Sequence, residues 1–190
     1  MLTDIFNCSL SEVIDEVESI TRETVETFGH LTAPQLNWRP DAGQWSIAQC
    51  LDHLMVTNRG FFPVFDALGN GSKQTTLWER MPLVPSFFGK LLLKGLGPAS
   101  KQRFKAPPGT QPAAGDFDTE IIRQFKEQQS GLAARLRQLT KLDATRIIIT
   151  SPLAKVMTYS LLDACRIIAV HERRHFAQAR RVLTMPGFLA

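Results

Sequence analysis

The sequence predicts an all-α fold: a four-helix bundle with a long insertion between its second and third helices. Apolar residues recur at helical spacing in four segments of roughly 20 residues, and capping-box patterns precede the first two segments. Six prolines fall between residues 72 and 116, so no long helix fits there. The insertion is therefore expected at about 69–117.

The first helix is predicted from about Leu10 to Phe28. Ser9 and Glu12 form a capping-box pattern at its start, and Gly29 follows as a C-terminal cap. Its apolar stripe runs along one face, which indicates packing against other helices rather than an isolated helix.

A loop is predicted over 30–44 because of its Pro, Gly and Asp content. The second helix then begins at Ser46, where Ser46 and Gln49 repeat the capping-box pattern. Trp45 stands at the position of a hydrophobic staple before the cap. The glycines of the GNG sequence at 69–71 end the helix.

The insertion is basic. Between residues 69 and 117 there are seven Lys or Arg against Glu79 and Asp116, a net charge of +5, whereas the whole chain carries +4. A short helix at about 86–96 is the only regular element that the pattern allows. Long insertions of this kind often serve as lids or binding loops.

The third helix is predicted over 119–139, with Asp118 as its cap. The RIIIT sequence at 146–150 is compatible with a short strand but has no obvious partner. The fourth helix begins at Ser160 and ends at about residue 183, before Pro186 and Gly187.

Composition sets the class of protein. A chain of 190 residues that is 44% hydrophobic fits one globular domain over 1–190. Three widely spaced cysteines, Cys8, Cys50 and Cys165, argue for a reducing compartment, and no apolar run is long enough to span a membrane. We expect a cytoplasmic protein without a membrane span. The basic residues form no continuous run and no nucleic-acid-recognition motif, so nucleic acid is not an expected partner.

Histidines provide the candidate site. His171 and His175 are four residues apart on the fourth helix and project from one face. His53 lies in the second helix, and it can face this pair if the two helices are neighbours. Three imidazoles would leave open positions on a divalent metal, as in catalytic sites. The alternative is that they are ordinary buried or surface polar residues, which is the expectation for His30.

The sequence HERRH at 171–175 also matches the H-E-x-x-H pattern of zinc proteases. Those enzymes take a third metal ligand from downstream, yet residues 176–190 contain no His, Glu or Asp. A protease is therefore disfavoured, and Glu172 is expected on a flank of the helix, paired with arginines.

Two segments together resemble the DinB/YfiT superfamily. NWRPDAGQWSIAQCLDHL is similar to that family's W-x-P and W-S motif with a following His-Leu, and SLLDACRIIAVHERRHFAQARRVL is similar to its last bundle helix with H-x-x-x-H-x-x-Q. The resemblance covers roughly 10–65 and 119–188. The insertion matches neither segment.

The resemblance implies an up-down-down-up four-helix bundle that is often a homodimer. It also implies a divalent metal (nickel, zinc, iron or manganese) on His53, His171 and His175, and structural roles for Trp45 and Ser46. Relatives include S-transferases that use a low-molecular-weight thiol, a thiol-dependent isomerase and proteins assigned as metal-dependent hydrolases.

A three-histidine metal site can activate water for hydrolysis or hold a thiol as thiolate. Asp52 and Glu172 each adjoin a histidine but point about 100° away from it, so the sequence shows no clear general base. A thiol-dependent S-transferase acting on a small electrophile is thus the first expectation. A metal-dependent hydrolase and a non-catalytic ligand-binding or partner-binding bundle are the alternatives. The candidate contacts to substrate or to the ligand shell are Gln178, Cys50 and Arg174, although a core position is favoured for Cys50.

Overall fold

A computed structural model describes residues 7–80, 89, 91–95, 106 and 108–188. Within these ranges the chain forms five helices with assigned bounds: α1 (Leu10–Phe28), α2 (Ala33–Asn37), α3 (Ile47–Gly69), α4 (Glu120–Leu139) and α5 (Leu161–Val182). Two short strands, β1 (Ile148–Thr150) and β2 (Thr158–Ser160), lie between α4 and α5. None of the helices searched in the described ranges has the length and apolar character to cross a membrane.

The four long helices form a bundle in which α1 and α3 each pack against α4 and α5. The core divides into two clusters. One cluster joins the start of α1 and the start of α5 to the ends of α3 and α4. The other joins the opposite ends of the same four helices. Helices α1 and α5 therefore run one way and α3 and α4 the other, which confirms the up-down-down-up order.

Capping residues fix where the helices begin. The Ser46 hydroxyl accepts from the Gln49 backbone N–H at 3.1 Å, and the Gln49 side chain accepts from the Ser46 N–H at 3.2 Å. Ser9 and Glu12 make the same box at α1. At α4 the predicted cap was wrong: the N-cap is Thr119, whose side chain makes no capping bond, and the helix starts one residue later than predicted. The carboxylate of Asp118, one residue before the cap, still accepts from the Glu120 N–H at 2.9 Å. These interactions satisfy backbone N–H groups in the first turn of each helix.

Two short elements of the fold were not predicted from the sequence. The segment predicted as a loop at 30–44 contains α2, which Thr32 and Gln35 cap; the T-x-x-Q pattern was its signal. The RIIIT strand does have a partner, since β1 pairs antiparallel with β2 and places Ile148 opposite Ser160. The partner was overlooked because the seven residues between the strands carry no hairpin dipeptide such as Asn-Gly.

A few described residues of the insertion are buried against the rest of the chain, among them Glu79, Leu93 and Thr110. Residues 91–95 are helical, inside the short helix predicted at 86–96, whereas the rest of that prediction except Gly89 lies outside the described residues. Two 3₁₀ turns flank it at Trp78–Arg80 and Pro108–Thr110. In the first, Glu79 is buried and accepts from the Thr150 N–H at 2.8 Å, which attaches the insertion to β1.

All three cysteines fall within the described ranges. Their side chains are buried thiols and form no disulfide there. Burial raises the pKa of Cys50 and of Cys165 to about 12 in each case, so both stay protonated at neutral pH.

Candidate metal centre

His53, His171 and His175 meet where the N-terminal half of α3 packs against α5. One nitrogen from each lies within 4.8 Å of the others, a group that could hold a metal ion. The Nε2 atoms of His53 and His171 are 3.1 Å apart, and the His175 ring centroid is 4.6 Å from each of the other two. The sequence predicted this group only if the two helices are neighbours. The packing of α3 on α5 meets that condition and brings the predicted residues together.

The backbone of the insertion fixes the orientation of His53. Its Nδ1 lies 2.5 Å from the carbonyl oxygen of Thr110. Because a carbonyl only accepts, Nδ1 carries the proton and Nε2 keeps its lone pair toward the other histidines. Metal-binding histidines are usually oriented in this way, by a hydrogen bond from the second ring nitrogen to a carbonyl or carboxylate.

The donor atoms fit a divalent ion. Two nitrogens about 2.1 Å from one ion, at angles near 90–110°, are roughly 3.0–3.4 Å apart, and the observed 3.1 Å between His53 and His171 lies in this range. In addition, the Nδ1 of His175 is buried and has no hydrogen-bond partner among the described residues. Such a nitrogen costs free energy in a protein interior unless something binds it.

The three imidazoles are held neutral, as metal ligands must be. Burial lowers the pKa of His175 to about 3, with further lowering by the charges of His53 and Arg174, while a hydrogen bond with Gln178 acts against this. Burial also lowers the pKa of His171 well below its ordinary value, as do the other two histidines. Burial lowers the pKa of His53 more than the bond to Thr110 raises it.

Trp45 forms one wall of the cluster. Its ring stacks on His175 at 23°, with centroids 5.5 Å apart, and lies 4.8 Å from the His53 ring. From the sequence, Trp45 was expected to have only a structural role before the cap of α3. That position was the available signal, but only the packing of α5 shows that the ring covers two of the histidines.

The chain matches the family model of the DinB superfamily over residues 16–179. It belongs to the DinB superfamily. No curated protein matches it. Among solved structures it is similar to YfiT from Bacillus subtilis, described as a probable metal-dependent hydrolase with an unusual four-helix bundle topology. The identity is 15%, the TM-score is 0.59, and the alignment covers 100% of this chain and 94% of YfiT. At this identity the likeness shows the shared bundle fold.

Asp52 does not face the histidines in this DinB-superfamily protein. Its carboxylate accepts from the Ala113 N–H at 2.8 Å. Asp52 and His53 therefore hold two points of one segment, 110–113, against α3. The helical spacing predicted that a carboxylate next to a candidate metal ligand points elsewhere, but the contact with the insertion could not be read from the sequence.

Glu172 lies in the core, not on a helix flank with arginines as predicted. It is fully buried, and its Oε1 accepts from the amides of Asn58 at 2.6 Å and Gln129 at 2.8 Å. Burial raises its pKa to about 7, although these hydrogen bonds lower it. The flank prediction failed because a lone acid followed by two arginines gives no sign of buried amide partners on two other helices. Because its carboxylate is hydrogen-bonded in the core, Glu172 does not have the general-base role that the glutamate of H-E-x-x-H has in zinc proteases.

The remaining predicted residues fall into two groups. Cys50 is fully buried in the apolar core cluster, as favoured, and His30 is exposed. Gln178 raises the pKa of His175, and the charge of Arg174 lowers the pKa of both His171 and His175. Gln178 and Arg174 thus adjoin the histidine cluster.

Proposed function

We propose that this DinB-superfamily chain is a divalent-metal-dependent enzyme that hydrolyses a small-molecule substrate. The observation that carries the proposal is the convergence of three neutral imidazoles from two helices, with the His53 tautomer fixed by Thr110. His53, His171 and His175 would be the ligands. The similar fold of YfiT, described as a probable metal-dependent hydrolase, agrees with this assignment.

A divalent ion held by these histidines would lower the pKa of a water or thiol bound to it, so that a nucleophile forms at neutral pH. Nearby residues of the chain would shield the ligands and attract the substrate. Trp45 shields the faces of His53 and His175. Arg174 places a positive charge close enough to the pair on α5 to lower the pKa of both rings. A substrate carrying a carboxylate or phosphate would be favoured by that charge.

A thiol-dependent S-transferase is the second candidate, and one observation favours it. Hydrolysis usually employs a carboxylate as general base near the attacking water. The carboxylates next to the ligands in sequence are both engaged elsewhere, Asp52 with Ala113 and Glu172 with Asn58 and Gln129. A low-molecular-weight thiol has a much lower pKa than water and does not require such a base.

The metal centre is tested by the metal content of protein purified without an affinity tag or chelator. We expect about one divalent ion per chain, retained in His30→Ala and lost in His171→Ala. His30 is a suitable control because it is exposed and lies outside the cluster. If the wild type contains no metal and takes up neither nickel, zinc, iron nor manganese, the proposal fails and the non-catalytic bundle is favoured.

The two reactions are then separated by assays of the metal-loaded protein. Turnover of esters, amides or phosphoesters without added thiol supports the hydrolase. Turnover of a small electrophile only in the presence of a low-molecular-weight thiol supports the transferase. Sedimentation of the same sample tests the homodimer that the family resemblance implies.

A further inference from the structure

The glutamate between the two α5 histidines connects their helix to two others. Glu172 is fully buried. Its Oε1 accepts from Asn58 on α3 and from Gln129 on α4. One oxygen atom therefore joins three of the four long helices at the level of the histidines.

The next residue connects α5 to the fourth long helix. The Arg173 guanidinium donates to Glu16 at 2.7 Å and to Glu23 at 2.8 Å, both on α1. Glu16 is itself buried. The turn that carries His171 is thus attached by polar contacts to α1, α3 and α4.

These contacts restrict the rotation and sliding of α5. Apolar side chains can repack at small cost, so an apolar interface alone specifies helix position loosely. Hydrogen bonds are directional and weaken steeply as their angle departs from linearity. A metal centre needs its ligands held within about 0.5 Å of the productive geometry. Polar contacts beside the histidines can supply this precision.

Two pairs of side chains connect α3 with α5. His53 of α3 faces His171 of α5, and Asn58 faces Glu172 five residues further along α3. Because successive residues on a helix point about 100° apart, the inward direction of Glu172 sets the direction of His171. The side chain that would be a general base in a zinc protease is here part of the framework.

We infer that Glu172, through Asn58 and Gln129, is the positioning residue that sets the geometry of the three-histidine metal centre. This inference rests on the proposed metal centre. Its Oε1 is held by the two amides, so the carboxylate acts through the register of α5 against α3 and α4.

The test compares Glu172→Leu with Glu172→Gln in the full-length, metal-stripped protein. Cobalt(II) is added, and both its dissociation constant and its visible d–d absorption spectrum are measured. Glu172→Leu should weaken binding by about 10–100-fold, as changes behind metal ligands typically do, and should alter the spectrum. Glu172→Gln should restore both, because its amide oxygen can accept from the same two amides. Its nitrogen would replace Oε2, which has no partner among the described residues.

Leu139→Ala serves as the matched control for lost stability. Leu139 is fully buried in the core cluster that joins the start of α1 to the end of α4. Trp45 packs against the other core cluster, at the opposite end of the bundle. This variant should melt at a lower temperature but bind cobalt with wild-type affinity and spectrum. If Glu172→Leu does not fold, Asn58→Ala replaces it and should weaken cobalt binding to a smaller extent.

The outcomes are distinct. Wild-type affinity and spectrum in Glu172→Leu or in its substitute Asn58→Ala would overturn the positioning role and leave the metal centre intact. An affinity loss in Leu139→Ala equal to that in Glu172→Leu would also overturn it, because general destabilisation would then explain both. A wild-type protein that binds no cobalt would refute the proposed metal centre itself.

Discussion

The buried imidazole of His175 should make the metal-free protein sensitive to mild acid. Burial lowers the pKa of this histidine to about 3 from an ordinary value of 6.5. A depressed folded-state pKa means that the neutral form stabilises the fold fully above pH 6.5 and that this stability is lost as the pH falls toward 3. Between pH 6.5 and 5 the loss is about 2 kcal/mol, since each pH unit contributes about 1.36 kcal/mol. That is a sizeable part of the roughly 5–15 kcal/mol that stabilises a typical domain.

The assay is urea unfolding of chelator-treated protein at pH 7 and pH 5, for the wild type and for His175→Gln. On acidification the wild type should lose about 2 kcal/mol more than the variant. The comparison with the variant is needed because Glu172 acts in the opposite direction. Its pKa is raised to about 7, so its protonation stabilises the fold as the pH falls from 7 to 5. His30→Gln should behave as the wild type, because His30 is exposed.

Equal losses in the wild type and His175→Gln would refute the reasoning. His175 would then titrate in the folded protein near its ordinary pKa, and the cluster would not be held neutral before metal binds. A loss in His30→Gln as small as that in His175→Gln would also contradict it, because any histidine would then produce the effect.

Three further predictions concern the anchor of the insertion on β1, the start of α3 and the Trp45 ring beside the histidines. Glu79→Gln should lower the free energy of unfolding by about 2 kcal/mol, because four hydrogen bonds lose their charged acceptor; thermal unfolding beside the exposed control Glu127→Gln measures this. Ser46→Ala should cost about 1 kcal/mol through loss of the N-cap, measured by urea unfolding. Nickel(II) or cobalt(II) should quench the fluorescence of Trp45, which contacts two of the histidines, so Trp45→Phe should abolish most of the quenching and Trp38→Phe should retain it.

Each of these has a contrary result. Equal stability of Glu79→Gln and Glu127→Gln would show that the buried carboxylate does not hold the insertion to β1. An unchanged free energy in Ser46→Ala would show that the capping box does not define the start of α3. Quenching that persists in Trp45→Phe would place the metal away from the Trp45 ring.

Much of the fold could be predicted because its signals are local. A capping serine followed three residues later by Glu or Gln marks a helix start through two reciprocal hydrogen bonds, so α1 and α3 begin where their sequences indicate. Apolar residues that recur at helical spacing, which is also a local signal, identified α4 and α5. The partner of β1 was missed because pairing of two three-residue strands depends on contacts beyond the strands themselves, including the anchor from Glu79 to Thr150.

The candidate site was predictable only in part. The spacing of His171 and His175 places both on one face of a helix whatever surrounds them, so that pair follows from the sequence. Bringing His53 to them required α3 and α5 to be neighbours, which periodicity alone does not determine. The carbonyl of Thr110 was not predictable, since any residue offers a backbone carbonyl and only the path of the insertion brings this one to His53.

The sequence by itself determined the helices, the pairing of two histidines on one helical face and the membership of the family, because these depend on residue type and spacing along the chain. Only the tertiary structure decided that α3 lies beside α5, that Trp45 covers two imidazoles and that Glu172 turns into the core. Those outcomes depend on how four amphipathic faces share one interior. A buried carboxylate is stable there only where donors from other helices converge on it, as Asn58 and Gln129 do.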